Sequence, residues 1–223
     1  MFIIKVYNQF FIFFFILLCN FCFAQSSELK GWSSVEYAFE INESLKIDLS
    51  QHFRLKEDLN VVDTYITESE ISYEPINNLI LLGQLRYYSR NDNFGGIQGF
   101  ENMMRYRFGI EKKLNSNLLN FELRFAYQNR FSLDRDNRLK KRIRIRPLIE
   151  LKMINWTNNP KIYFEYFDEI KGNEQKVYRY GISKKINTYK SQSLTLRYLY
   201  QKYVENYSSN FSANIISVKY SFN

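Results

Sequence analysis

A strict alternation of charged and apolar residues is the feature that most constrains how this chain can fold. It is clearest in residues 141–153, which read KRIRIRPLIELKM. Ile143 and Ile145 share one parity, while Arg142 and Arg144 share the other. Successive side chains of a β-strand point to opposite faces, so this segment has one apolar face and one charged face. Such a strand belongs either to a soluble exported sheet with a charged outer face or to a membrane barrel with a charged lumen.

The same alternation recurs along the rest of the chain. Eleven segments show it, at residues 32–41, 45–55, 65–74, 79–90, 104–111, 119–128, 141–153, 162–167, 178–183, 194–201 and 216–222. Many are about ten residues long, which suits a tilted transmembrane strand of about 9–11 residues better than a soluble strand of about 5–6. Helical periodicity never persists beyond a turn or two after residue 25. We therefore predict an all-β fold, an antiparallel up-and-down transmembrane β-barrel, in preference to a soluble exported β-sandwich.

The number of strands follows less directly from the pattern. Bacterial single-chain barrels have an even number of strands, whereas eleven segments alternate here. We expect a barrel of 10–12 strands and prefer twelve. The additional strand would lie near Glu28 or within residues 203–207.

The N-terminus reads as an export signal. Lys5 precedes an apolar run at residues 10–18, and Cys22-Phe23-Ala24 then supplies a small residue at a cleavage point. The run is shorter than the roughly 20 residues that a spanning helix needs, which disfavours a membrane anchor. We predict a signal peptide at residues 1–24, cleaved near Ala24, and a single outer-membrane β-barrel domain at residues 25–223. The predicted location is the outer membrane of a Gram-negative bacterium. The expected partners are the lipid bilayer with its lipopolysaccharide and, during biogenesis, the barrel-assembly machinery.

Composition excludes several kinds of site. Both cysteines, Cys19 and Cys22, lie in the predicted signal peptide, so the barrel domain has no disulfide, thiolate zinc site or cysteine nucleophile. Removing Lys5 leaves 30 basic residues against 23 acidic residues. A basic surface with interleaved aromatics would indicate nucleic-acid binding, but here the arginines and aromatics lie on opposite strand faces. We therefore expect no nucleic-acid partner.

Catalysis is also disfavoured by the sequence. His52 is the single histidine and shares a strand face with Ser50 and Asp48. Residues two apart on a strand are separated by about 6.6 Å, which is too far for a direct hydrogen-bonded relay. The carboxylates of Glu68, Glu70 and Glu74 could suit calcium, but pairing with lumenal arginines explains them more simply. We predict a protein without enzymatic activity, cofactor or metal.

The polar face of the strands therefore carries the candidate site, a lumenal charge network. The early strands contribute mostly acids to this face and the later strands mostly arginines, and buried charges are tolerated only when they pair or remain hydrated. We expect barrel closure to bring the acidic first strands beside the last strands. The predicted network comprises Arg86, Arg105, Arg107, Arg124, Arg142, Arg144, Arg146, Arg179, Arg197, Glu68, Glu70, Glu122, Glu150 and Glu165.

Two functions are compatible with such a lumen. In the first, the network fills the barrel and the protein is a structural or loop-presenting outer-membrane component. In the second, the arginines line a narrow pore or transport channel for small anionic solutes. A barrel with this few strands is largely filled by side chains, so the sequence favours the first function. A lipid-modifying outer-membrane enzyme is a third, less favoured alternative. The oligomeric state does not follow from the sequence.

Short motifs, taken in order and spacing, resemble a known family over essentially the whole chain after residue 25. The motifs are Trp32, Phe53-Arg54-Leu55, Gly83-Gln84-Leu85-Arg86-Tyr87, Phe121-Glu122-Leu123-Arg124-Phe125, Arg142-Ile143-Arg144, Glu165-Tyr166-Phe167-Asp168 and Arg179-Tyr180-Gly181. The chain resembles the Bacteroidota outer-membrane β-barrel family called domain of unknown function 2490. This resemblance implies an outer-membrane location and a barrel fold, and it implies no activity.

Overall fold

Every regular element of the described structure is a β-strand. The computed structural model describes residues 27–93, 98–135, 139–153, 158–171, 175–189, 191–204 and 211–222. Within these ranges eleven strands form one closed barrel. In chain order they are β1 (Ser27–Asn42), β2 (Leu45–Lys56), β3 (Val61–Ile76), β4 (Leu79–Asp92), β5 (Gly99–Asn115), β6 (Leu119–Ser132), β7 (Leu139–Leu151), β8 (Lys161–Lys171), β9 (Lys176–Tyr189), β10 (Gln192–Val204) and β11 (Phe211–Phe222). The predicted all-β barrel is confirmed. The described strands are one fewer than the preferred twelve.

The odd number of strands follows from how the barrel closes. Ten neighbouring pairs are antiparallel hairpin pairs, but β1 and β11 run parallel to each other. This parallel seam is continuous, from Ser27 opposite Ser212 to Tyr37 opposite Phe222. The expectation of an even number rested on a wall that is antiparallel throughout. One parallel pair removes that requirement, because the first and last strands then point the same way.

Two predicted regions fall partly or wholly outside the described residues. The predicted signal peptide at residues 1–24 is one of them, so its cleavage remains a prediction. For the additional strand, Glu28 lies in β1 and Tyr203 in β10, while residues 205–207 are not described. In the part of the chain that is described, no helix has the length and apolar character needed to span a membrane.

The two ends of the barrel have different connections. At one end, which we name the turn end, most connections have two or three residues, and residues 152–160 form a longer one. The first of these turns is stabilised by Asn42, whose side-chain oxygen accepts hydrogen bonds of 2.9 Å from the backbone N–H groups of Ser44 and Leu45. Connections at the opposite end, the loop end, have four to six residues. Because β1 is parallel to β11, β1 begins at the loop end while β11 finishes at the turn end.

The barrel is inside-out relative to a soluble protein. Its outer face carries exposed apolar side chains, such as Phe108 at 61% exposure and Val35 at 52%. Its lumenal face carries buried charges, such as Glu165 at 3% exposure and Arg107 at 4%. The strand parities therefore divide as the alternation predicts. An apolar outer band around a polar interior is typical of a transmembrane barrel.

Pro147 is accommodated in β7 without a β-bulge at its own position. The residues on either side keep one register, with Ile145 opposite Tyr166 and Leu148 opposite Tyr163 on β8. The ladder simply omits Arg146 and Pro147 on that side, because proline has no N–H to donate. The irregularity of this strand pair lies instead between Lys141 and Arg142. On the same strand, Arg144 pairs with Glu165 inside the lumen.

Candidate functional site

The candidate site is a large cavity in the barrel lumen. Its volume is about 1000 Å³, and all eleven described strands contribute lining residues. Seventeen of these are basic: Lys30, Arg54, Arg86, Arg90, Arg105, Arg107, Arg124, Arg130, Lys140, Arg142, Arg144, Arg146, Lys161, Arg179, Lys185, Arg197 and Lys219. Six are acidic: Glu36, Asp63, Glu68, Glu70, Glu122 and Glu165. The lumen therefore has a large excess of positive charge.

The residues predicted from strand parity lie on this lumenal face. The nine predicted arginines all line the cavity, together with Glu68, Glu70, Glu122 and Glu165. Glu150 lies outside the lining, but its carboxylate is 3.3 Å from the amino group of Lys161, which does line it. The structure thus brings the predicted charges into one compartment. Their individual partners depend on the register between strands.

A first group of ion pairs joins β3, β4 and β5. Arg86 and Arg105 lie directly opposite each other, an unfavourable position for like charges. Glu68 compensates by binding Arg86, with Arg105 at 4.0 Å. Glu70 binds Arg107 and also accepts a 2.7 Å hydrogen bond from the side chain of Gln84. The acids of β3 thus neutralise arginines on the strands that follow in sequence.

A second group joins β5, β6 and β7 through a residue that the sequence did not single out. Arg124 and Arg146 are directly opposite each other, and Glu111 bridges them at 2.7 Å and 3.2 Å. Glu111 has the lumenal parity of Arg105 and Arg107, so its strand position alone signals its role. No sequence pattern, however, shows that Glu111 faces two arginines.

A third group joins β7, β8 and β9. The buried carboxylate of Glu165 binds Arg144 on one side and Arg179 at 2.7 Å on the other. Nearer the loop end, Glu169 binds Arg142 at 2.7 Å. Glu169 is also absent from the predicted network, although it shares the parity of Glu165. Two acids that pair with lumenal arginines, Glu111 and Glu169, were therefore missed by sequence reasoning.

The pairing differs from the expectation that closure brings the acidic first strands to the basic last strands. An ion pair does cross the seam, between Lys219 and Glu36 at 2.8 Å. The three groups described above, however, all link strands that are one or two places apart in the wall. The physical reason is that neighbouring strands are about 4.8 Å apart, which long side chains can span once or twice, whereas opposite walls are separated by the lumen.

Three lumenal arginines have no acidic partner. In the residues that the structure describes, no carboxylate lies within 4.0 Å of the guanidinium groups of Arg54, Arg130 or Arg197. Arg54 instead lies over the ring of Trp32 at 4.1 Å, and Arg197 lies over the ring of Tyr163 at 5.6 Å. Of the three, only Arg197 belongs to the predicted network. Such cations are the ones most available to a mobile anion.

The turn end has a smaller cavity of opposite character. Its volume is about 410 Å³, and six carboxylates and three basic side chains line it. Glu70 and Arg124 line both cavities, so they mark the boundary between the two. The lumen is therefore polarised along its axis, with a basic chamber that adjoins an acidic vestibule at the turn end.

The surroundings of His52 differ from the sequence expectation in one respect. The hydroxyl of Ser50 is 3.1 Å from His52 Nε2, which is hydrogen-bonding distance although the residues are two apart. A Glu68 oxygen lies 3.9 Å from the same nitrogen. A relay needs the hydroxyl and the carboxylate on different ring nitrogens, so that one nitrogen takes the proton while the other is held. Here both contacts converge on Nε2, and the arrangement does not form a relay.

Metal binding has no candidate cluster in the described part of the chain. Among those residues, no group of three or more histidine, cysteine, aspartate or glutamate side chains is arranged to hold a metal ion.

Comparison with known proteins identifies the family. The family described as "Protein of unknown function (DUF2490)" matches residues 29–210, which confirms the resemblance found in the sequence. No curated protein matches the chain. Among solved structures, the anion-selective porin from Comamonas acidovorans is similar at a TM-score of 0.40 and 10% sequence identity, over 82% of this chain and 54% of the porin. The chain thus spans about half the length of that porin, and a similarity of this degree says nothing about function. The chain belongs to the DUF2490 family of proteins of unknown function.

Proposed function

We propose that the chain is an outer-membrane β-barrel whose lumen is a narrow pathway for small anions. One observation carries the proposal: seventeen basic side chains line the main cavity against six acidic ones. Four further carboxylates, those of Glu28, Glu111, Glu150 and Glu169, pair with these cations from outside the lining. The excess of positive charge persists when they are counted, and it favours anions over cations in the lumen.

The size of the barrel also supports a pathway. Barrels of about eight strands are just wide enough for their own side chains to fill the interior. The described wall has eleven strands and encloses a cavity of about 1000 Å³. The outer membrane is the proposed location because the apolar outer face would be unstable in water but suits lipid.

The second candidate function is a structural or loop-presenting barrel. The observation that favours it is the set of buried ion pairs that link neighbouring strands, such as Glu165 with Arg179. In this case the charges stabilise the wall, and the lumen passes no solute.

Conductance in planar lipid bilayers separates the two functions. Purified barrel is inserted under a potassium chloride gradient, and single-channel current and reversal potential are recorded. The anion pathway requires discrete current steps and a reversal potential that is shifted from zero towards the equilibrium potential of chloride. Verified insertion without discrete current, or with cation preference, overturns the pathway and favours the structural barrel.

A charge-reversal variant links that current to the lumen. Arg130→Glu changes a lumenal cation that has no acidic partner in the described structure, so no ion pair is broken. We expect the reversal potential to move towards that of potassium. Lys112→Glu makes the same charge change on the exposed outer face and is the matched control. Equal shifts in both variants would show that lumenal charge does not set the selectivity.

A further inference from the structure

One wall of the basic cavity is apolar. Leu148, Tyr163, Leu199, Ala213 and Ile215 form a buried cluster, and Trp32 packs against it. These side chains share the lumenal parity of the charged residues, so they face the interior and not the outer face. We name this set the apolar wall.

Four members of the apolar wall lie in one row of paired positions that crosses five strands, from β7 to β11. Leu148 lies opposite Tyr163, Tyr163 opposite Gly181, Gly181 opposite Leu199, and Leu199 opposite Ile215. Gly181 has no side chain, and Tyr163 and Leu199 close over it. A Cβ at this position would lie only 2.5 Å from the Tyr163 ring and 2.6 Å from Leu199. The row is therefore tightly packed, and it meets the cavity at Leu148, Tyr163 and Leu199.

Arginines border the apolar wall on both sides. The guanidinium of Arg197 lies 5.6 Å from the centre of the Tyr163 ring. At the other edge, Arg54 and Arg179 lie 4.1 Å and 5.2 Å from the centre of the Trp32 ring. Stacking on an aromatic ring holds a guanidinium in place while its N–H groups at the edge remain free to bind an anion.

Arg54 and Arg197 have binding capacity that the protein itself does not use. Neither has a carboxylate within 4.0 Å among the described residues, and the Nε atom of each is buried without a hydrogen-bond partner. Both belong to one row of paired positions, since Arg54 is opposite Trp32, Trp32 opposite Ser217, and Ser217 opposite Arg197. Buried donors without partners are unfavourable, and an incoming anion would satisfy them.

We propose that the lumen contains a binding site for an organic anion, with its carboxylate or phosphate at Arg54 or Arg197 and its apolar body on the apolar wall. Ligand sites combine apolar walls with a few oriented polar groups, in cavities of about 300–1000 Å³, and this cavity has both. The inference rests on the anion pathway proposed above and specifies the class of solute.

Binding to the full barrel in detergent tests the proposal independently of conductance. The probe is Trp32 fluorescence, with the chain's second tryptophan changed by Trp156→Phe. Hexanoate and acetate are titrated as ligands because they share a carboxylate and differ only in the apolar body. We expect hexanoate to bind at least about tenfold more tightly than acetate, because binding transfers its additional methylene groups from water to the apolar wall.

Variants assign the binding to the two parts of the site. Arg54→Gln with Arg197→Gln should weaken hexanoate binding by about tenfold or more, since each charge-assisted hydrogen bond is lost. Leu199→Ala should reduce the preference for hexanoate over acetate while leaving acetate binding unchanged. Where the double variant does not fold, each single arginine variant should give a smaller loss in the same direction. Lys112→Gln with Lys141→Gln removes two charges from outside the lumen and is the control for net charge.

The outcomes separate this inference from the anion pathway. Chloride-selective current with equal hexanoate and acetate affinity overturns the organic-anion site and leaves the pathway intact. Hexanoate preference that the arginine and Leu199 variants do not change also overturns the site, because binding then occurs elsewhere. A preference for hexanoate that depends on the two arginines and on Leu199 supports the site. If chloride current is absent at the same time, only the anion pathway is overturned.

Discussion

Glu165 and Arg179 lie directly opposite each other on β8 and β9, and the carboxylate accepts a 2.7 Å hydrogen bond from the guanidinium. The other oxygen of Glu165 accepts a hydrogen bond from Arg144 on β7. One buried carboxylate thus joins three consecutive strands. It also keeps two like charges together in an interior that holds few acids.

Glu165→Gln should destabilise the barrel because it leaves Arg144 and Arg179 without a negative partner. Removing one member of a buried ion pair typically costs about 3–5 kcal/mol, and we expect about 2 kcal/mol or more, since both arginines also border the open cavity. Urea unfolding in lipid vesicles measures the change in the free energy of unfolding. Glu150→Gln is the control, because its partner Lys161 is 38% exposed and such pairs contribute about 0–1 kcal/mol. Equal effects of the two variants would contradict the role given to Glu165.

The parallel seam predicts which engineered cysteines can be cross-linked. Ser27→Cys with Ser212→Cys should form a disulfide, because paired residues on neighbouring strands lie within the roughly 4.4–6.8 Å Cα separation that a disulfide allows. Cys19 and Cys22 are first replaced by alanine. Mobility of the unfolded protein on a denaturing gel, with and without reductant, reports the cross-link. Ser27→Cys with Phe222→Cys is the comparison pair, with both residues on the outer face, and its cross-linking in place of the first pair would indicate antiparallel closure.

Two glycines should respond oppositely to a methyl group. At Gly181 a Cβ would lie 2.5 Å from the Tyr163 ring, so Gly181→Ala should destabilise the barrel by about 1–3 kcal/mol through overpacking. At Gly83 no atom lies within 4 Å of a Cβ, so Gly83→Ala should stay within about 0.5 kcal/mol of the parent. Urea unfolding of both variants checks the pair. A neutral Gly181→Ala would show that the apolar wall is not packed against the glycine backbone.

A charged substitution on the outer face should destabilise the barrel if that face contacts lipid. Phe108 lies in the middle of β5 at 61% exposure. Phe108→Arg should therefore destabilise the barrel and reduce its free energy of unfolding in vesicles by about 2–4 kcal/mol. Phe108→Leu remains apolar and is the control. Folding yield in lipid vesicles, read from the shift between heated and unheated gel samples, measures both. A water-exposed face would instead tolerate arginine and make the protein more soluble.

The face on which each side chain lies could be predicted from the sequence. The alternation of Arg142, Arg144 and Arg146 with Ile143 and Ile145 already separates lumen from outer face, because a strand repeats every two residues. This local rule places all nine predicted arginines around one cavity. It also gives Glu111 and Glu169 the lumenal parity, although their importance depends on partners that lie on other strands.

The partners could not be predicted, because they depend on register. Glu111 bridges Arg124 and Arg146 only because the pairings of β5 with β6 and β6 with β7 align these positions. The 3.1 Å contact between Ser50 and His52 likewise depends on side-chain conformation, which strand spacing does not specify. The apolar wall was not predicted either, since its members are distributed over five strands and meet only after closure.

By itself, the sequence determined an all-β barrel with apolar residues outside and charges inside, because that information is contained in the two-residue period of each strand. Only the tertiary structure decided that the described strands number eleven, that β1 closes against β11 in parallel, and that Arg54 and Arg197 lack acidic partners beside an apolar wall. The physical reason is that closure and register are properties of the whole sheet. They depend on how far each strand is displaced along its neighbour, and no single segment of the chain records that displacement.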